Sequence, residues 1–187
     1  GKYYGGHFTY NGKAYPMGQH GFARDTEFEQ IAAGEDFVTY RLCADEESKK
    51  KYPFDFVLEI THRLENNRLS VEWKVTNTGD KEMYFTIGGH PAFNVNILPD
   101  TDFEDYSLVF KEGIETLSYI LIDAENGTAL TDKTHKLELT NSKYALKKDM
   151  FDKDALIFDN GQIEWVGLAL PNGKPYIALE SKNFPNF

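Results

Sequence analysis

The chain has 187 residues, a formal net charge of −10, a single cysteine, and 41% hydrophobic residues. The acidic balance speaks against a nucleic-acid partner, which calls for clustered Lys and Arg. One cysteine excludes an internal disulfide framework, and no apolar run approaches the ~20 residues that span a bilayer. No signal-peptide pattern opens the chain, so we expect a cytoplasmic protein with neither a nucleic-acid nor a membrane partner. The length suits a single domain over residues 1–187 that buries a sizeable core. The chain opens on Gly1 rather than Met and stops directly after Asn183-Phe184-Pro185-Asn186, which reads as the middle of a structure. A fragment is therefore expected.

Asn11-Gly12 lies between Phe8-Thr9-Tyr10 and Lys13-Ala14-Tyr15, a strong signal for a β-hairpin. The next stretch, Pro16 to Asp25, sets His20 before Gly21 and places Arg24 four residues further on. Polar, chemically capable residues beside Gly and Pro are what a binding loop looks like. The same residues also fit a plain turn in which Arg24 pairs with Asp25 or Glu27. Two strand-like segments follow, Phe28–Ile31 and Phe37–Leu42, and the lone Cys43 after them is expected to pack in its strand. Residues 45–52 form the one stretch that looks helical. The basic run Lys49-Lys50-Lys51 follows Asp45-Glu46-Glu47, so it reads as a solvated helix end.

After Pro53 the period switches to two. Phe54, Phe56, Leu58, Ile60, His62 and Leu64 share one side, so His62 is expected as a packed, hydrogen-bonded core histidine. Asn66-Asn67 turns the chain into Leu69, Val71, Trp73 and Val75, which alternate with Ser70, Glu72, Lys74 and Thr76. Met83–Ile87 reads as a buried strand. It breaks on Gly88-Gly89, presents His90, and locks the next angle with Pro91 before Ala92-Phe93-Asn94. A histidine there can give or take a proton near neutral pH, although a strand-end turn explains the same residues. Further short strands are expected at Tyr106–Phe110, Leu117–Ile122, Lys136–Leu139, Ala155–Phe158 and Pro175–Glu180. Turns at Glu125-Asn126-Gly127, Asn160-Gly161 and Pro171–Lys174 separate them. Many short strands without βα alternation indicate an all-β, antiparallel sandwich or barrel. A concave face that gathered the histidines would suit a polar, neutral ligand such as a sugar.

Gln19-His20-Gly21-Phe22-Ala23-Arg24-Asp25 and Gly88-Gly89-His90-Pro91-Ala92-Phe93-Asn94 resemble the two histidine motifs of the galactose mutarotase-like (aldose 1-epimerase) family, most of all its bacterial LacX-like branch. Lys51–Phe56 and Asn77–Asp80 are similar as well, so the resemblance runs through nearly the whole chain. It implies a large antiparallel β-sandwich, incomplete here, that binds an aldohexose on a concave sheet and interconverts its α- and β-anomers without a cofactor. His90 would protonate the ring oxygen, and His20 would hydrogen-bond the same region. Arg24 and Asn94 fall with the substrate-binding residues. Asp154 resembles the family's substrate-binding aspartate, although a turn acid fits that position nearly as well. Lys2 stands by spacing where the family has an arginine, and there it loses the bidentate fork.

The family's base is a glutamate followed by a proline-aromatic pair. Glu180 lacks that context and reads as a strand residue. Two other readings compete with the anomerase: a non-catalytic carbohydrate-binding module, and a metal site built from His7, His20 and His90. No His-x-His or His-x-x-x-His spacing prearranges the metal site. A phosphorylated sugar is compatible with the family, but no Arg and Lys cluster beside the motifs demands one.

Overall fold

Asn11 and Gly12 both adopt left-handed backbone angles, φ 50° and 75°. This is the geometry of a tight two-residue hairpin turn, and it joins β1 (His7–Tyr10) to β2 (Lys13–Pro16). The computed structural model describes residues 2–181 and 183–187. Its strand ladders are antiparallel, so the fold is all-β as the turn spacing implied. The chain forms two compact units, Gly1–Thr86 and Ile87–Phe187.

In the first unit, β3 (Glu29–Ala33), β4 (Phe37–Cys43), β5 (Phe56–Glu65) and β6 (Arg68–Asn77) make a sheet in sequential order. Between β4 and β5 lies α1 (Glu46–Lys51), the expected helix. Asp45 starts it: its carboxylate accepts from the Ser48 N–H at 2.7 Å, and the Ser48 hydroxyl accepts from the Asp45 N–H at 2.8 Å. The Ser48 N–H holds the Asp45 carboxyl below its ordinary range. Glu46 and Glu47 in the first turn and Lys49 to Lys51 in the last complement the helix dipole.

The alternation read along β5 is real and graded. Phe54, Phe56 and Leu58 are buried, Ile60 and His62 are half-buried, and Leu64 at the far end is 58% exposed. His62 packs edge-on against Tyr40, centroids 6.5 Å apart. Its Nδ1 is buried with no hydrogen-bond partner among the described residues, so it is packed as expected but not bonded through that nitrogen. The opposite face is polar. The Thr39 and Thr61 hydroxyls meet at 2.9 Å, and Glu29, Arg41, Glu59 and Lys74 stand side by side across the four strands. Cys43 is exposed at the end of β4, where it follows the buried Leu42 onto the other face. The expected packing role fails because alternation turns it outward. A cluster of aromatics, Phe8, Phe22, Phe54 and Phe56, surrounds Tyr52. Burial there pushes the Tyr52 hydroxyl up to about 12, and it donates to the Tyr84 carbonyl at 2.7 Å.

The second unit contains β7 (Ser107–Val109), β8 (Thr116–Tyr119), β9 (His135–Glu138), β10 (Lys143–Ala145), β11 (Trp165–Ala169) and β12 (Pro175–Glu180). They form a sheet of order β10-β7-β11-β12 and a hairpin of β8 with β9. Phe110, Leu117, Leu137, Phe158 and Ile163 make its core. Ala155–Phe158, expected as a strand, contributes only an isolated bridge from Ile157 to Ile120. Phe158 instead exchanges backbone hydrogen bonds with Phe187, both at 2.8 Å.

One expectation is overturned outright. Met83–Ile87 is not a strand, and Tyr84 and Phe85 are 60% and 53% exposed. Apolar, β-branched composition specifies a strand only where a neighbouring strand takes up its N–H and C=O groups. No described strand pairs with this run.

Candidate functional site

In the second unit the glycine–histidine–proline segment lies outside any strand or helix and leaves His90 exposed. Two tyrosines tie down the chain that follows. The Tyr176 hydroxyl, at the start of β12, donates to the Asn94 carbonyl at 2.5 Å. The Leu98 N–H donates to the Tyr106 hydroxyl at 3.1 Å, and the Thr101 and Tyr106 hydroxyls lie 2.9 Å apart. Tyr106 is fully buried, and its ring stands edge-on to Tyr176 at 6.4 Å. Burial raises the Tyr176 phenol above its ordinary range, with Tyr106 adding to the effect. A loop that carries a histidine is thus held by two phenols, and burial favours the neutral, donating form of the Tyr176 hydroxyl.

Between this segment and the sheet lies a cleft of about 390 Å³. Its lining includes Gly89, His90 and Phe93 from the segment, Leu168 from β11 and Ile177 from β12. Apart from the imidazole, the named side chains are apolar. Such a wall offers ring faces and a single proton-active group.

Asp154 ends the turn that precedes Ala155. It is exposed, has φ 70°, and its carboxylate accepts from the Ala155 N–H at 2.7 Å. It does not line the cleft, whereas Phe151 of the same turn does. Glu180 is the last residue of β12, opposite Trp165, as its sequence context implied.

In the first unit His20 sits on the loop between β2 and β3, exposed and left-handed at φ 65°. Gly21 continues the left-handed turn at φ 75°, and its N–H donates to the Gly18 carbonyl at 3.1 Å. Arg24 lies on the short 3₁₀ turn Ala23–Asp25 and pairs with Asp25 at 3.3 Å, with both side chains more than half exposed. The surface pairing that the sequence left open is therefore the one observed. A depression of about 250 Å³ beside this loop is lined by Met17, Phe22, Asp25 and Lys51, among others. Lys2 is exposed ahead of the Tyr4–Gly6 turn.

The structure thus sets His20 with Arg24 on one loop of the first unit. His90 and Asn94 share a segment of the second unit, and Asp154 lies elsewhere in that unit. The other histidines have structural neighbours: His7 Nδ1 lies 3.0 Å from the Gly5 carbonyl, and His135 stacks on Tyr119 at 5.3 Å. Among the described residues, no three His, Cys, Asp or Glu side chains gather as a metal site would require.

Sequence reasoning missed Tyr106, Tyr176 and Phe151. The Tyr176–Asn94 bond spans 82 positions, and nothing local marks a phenol that will reach so far along the chain.

The sequence matches the family described as aldose 1-epimerase over residues 2–176. It is 32% identical over 170 residues to the plasmid and chromosomal LacX proteins of Lactococcus lactis subsp. lactis. That match takes in 90% of this chain and 56% of each relative. A crystal structure of a galactose mutarotase related enzyme from Lactobacillus acidophilus superposes with a TM-score of 0.82 at 33% identity, over 91% of this chain and 56% of that one. A galactose mutarotase-like protein from Lactobacillus casei ATCC 334 gives 0.83 at 30% identity, over all of this chain and 63% of that one. The chain therefore spans somewhat more than half the length of these relatives.

Proposed function

This chain belongs to the aldose 1-epimerase family, and from that we propose that it carries the acid half of a mutarotase acting on an aldohexose. The observation that carries the reading is that both histidine motifs fall inside the matched residues, with His90 on the wall of an apolar cleft. In the proposed reaction a carboxylate takes the proton of the C1 hydroxyl while His90 protonates the ring oxygen. The bond from C1 to that oxygen then breaks and leaves an open-chain aldehyde. Rotation about C1–C2 and closure on the other carbonyl face give the second anomer. By its motif, His20 is proposed to share the catalytic work by helping to hold the charge that develops at the ring oxygen, and Arg24, Asn94, Asp154 and Lys2 to bind the sugar. Phe93 and Phe151 supply ring faces against which a pyranose can stack.

The sequence contains no Glu-Pro pair, so the base is proposed to be Glu180 or a carboxylate of a longer polypeptide. Loss of a general base costs on the order of 10² to 10⁴ in rate. A second reading is a carbohydrate-binding module without turnover, for which the apolar wall beside His90 would serve as the sugar face.

Polarimetry on freshly dissolved α-D-galactose and α-D-glucose separates the two. The anomerase reading expects acceleration over the spontaneous rate, lost in His90→Ala with sugar affinity largely kept. Sugar binding with no acceleration by either protein would leave the binding module or an enzyme whose base lies on a longer polypeptide, and a longer chain carrying that glutamate decides between them. Acceleration that survives His90→Ala would remove His90 as the acid.

A further inference from the structure

Among the described residues, the strand β6 is an edge of its sheet. It pairs with β5 in an unbroken ten-residue register, and no described strand pairs with its other side. None of its ten residues is buried, and Leu69 is 60% exposed. Natural edges are blunted by a proline, a bulge, a short span or charged side chains; β6 has no proline and no bulge against β5, and the charges at its centre, Glu72 and Lys74, are of opposite sign.

We propose that β6 is the surface through which two copies of this chain associate, antiparallel about a two-fold axis at Trp73. The sequence from Ser70 to Thr76 is self-complementary about that residue. With Trp73 opposite Trp73, Glu72 of one copy faces Lys74 of the other, and Lys74 faces Glu72. On the same polar face Ser70 meets Thr76, while on the apolar face Val71 meets Val75. These central pairs join like with like or opposite charges, as cross-strand neighbours prefer, while beyond them Leu69 meets Asn77.

The charged row already present in the sheet points to the same register. Glu29, Arg41, Glu59 and Lys74 alternate in sign across β3 to β6, with Arg41 to Glu29 at 3.6 Å and Lys74 to Glu59 at 2.9 Å. Glu72 of the second copy extends that row with the next alternating charge. Slipping the pairing by two residues sets Glu72 against Glu72 in one direction and Lys74 against Lys74 in the other. A slip of one residue would turn the apolar side chains to the polar face. The opposite charges therefore select one register, and the result is a continuous sheet of two isologous halves.

The test is sedimentation velocity over a concentration series of the full 187-residue chain, at physiological ionic strength so that the net charge is screened. The wild type is expected to dimerise. Glu72→Lys and Lys74→Glu each place like charges opposite one another and should raise the dimer dissociation constant about tenfold or more. Circular dichroism verifies that both variants are folded. Mixing them restores opposite charges at both pairs, so the heterodimer should form where each homodimer does not. A wild type that stays monomeric overturns the proposal and assigns the edge to another occupant, such as a further strand of a longer polypeptide. A dimer indifferent to either substitution, or variants that fail to recover on mixing, overturn it as well.

Discussion

Replacing Tyr106 by Phe removes one oxygen atom from the largest fully buried side chain among the described residues. The ring is fully buried and stays in place against Tyr176. What is lost is the acceptor of the Leu98 N–H at 3.1 Å and the partner of the Thr101 hydroxyl at 2.9 Å. Thr101 also donates to the Leu98 carbonyl at 2.7 Å, so it keeps one partner, whereas the Leu98 N–H keeps none among the bonds described. A net hydrogen bond contributes roughly 1 kcal/mol, and a part-buried donor left without one costs about 1–3 kcal/mol. The unsatisfied donor sets the cost, and at the middle of that range the loss is about 2 kcal/mol, a fall in Tm of roughly 4–8 °C for a chain of this size. The assay pairs thermal unfolding with amide hydrogen exchange read at Leu98. The reasoning expects exchange there to accelerate while amides of the β11–β12 ladder hold their relative order of protection. A change in Tm below about 1 °C, or exchange at Leu98 equal to wild type, would refute the view that this phenol anchors the segment following His90.

Tyr52 provides a pH-dependent expectation. Its hydroxyl is raised from 10.0 to about 12 in the folded chain. The unfolded chain therefore ionises first, and the stability contributed below pH 10 is lost as the pH rises towards 12. Tyr52→Phe should flatten the alkaline limb of a stability-versus-pH curve, measured by denaturant unfolding; an unchanged slope would contradict it. Leu137 is 5% exposed in the core with Phe110 and Phe158. Leu137→Ala should lower stability by about 2–5 kcal/mol, and a loss under about 1 kcal/mol in urea unfolding would show a looser core than the one described.

Much of the first unit was legible in the sequence because its signals are local and redundant. Asn11-Gly12 needs two left-handed residues in succession and has them. Asp45 is followed by Ser48 at the spacing that closes a cap. The alternation from Phe54 to Leu64 survives as a burial gradient. The second unit was less legible for physical reasons. Lys143–Ala145 is too short to show a period, and Gly167 interrupts β11 where alternation would otherwise appear. Ala155–Phe158 and Met83–Ile87 carry strand composition without a strand neighbour, and a ladder is not a property of one segment. The histidines, as candidates, were visible from their Gly and Pro surroundings. The tyrosines behind the His90 segment were not, because the sequence separation hides their reach.

The left-handed backbone at His20 has a bearing on how the loop would respond to saturation mutagenesis. With φ at 65°, the peptide itself discriminates among replacements before any ligand is present. Glycine and asparagine fit such angles, and β-branched residues are disfavoured there. A library scored for folding alone would rank Gly and Asn first at position 20 and Val and Ile last. A library scored for sugar turnover would reorder that list by what the imidazole does. Comparing the two rankings isolates the ring's contribution from the main chain's demand, and Asp154, with φ 70°, admits the same comparison for its carboxylate.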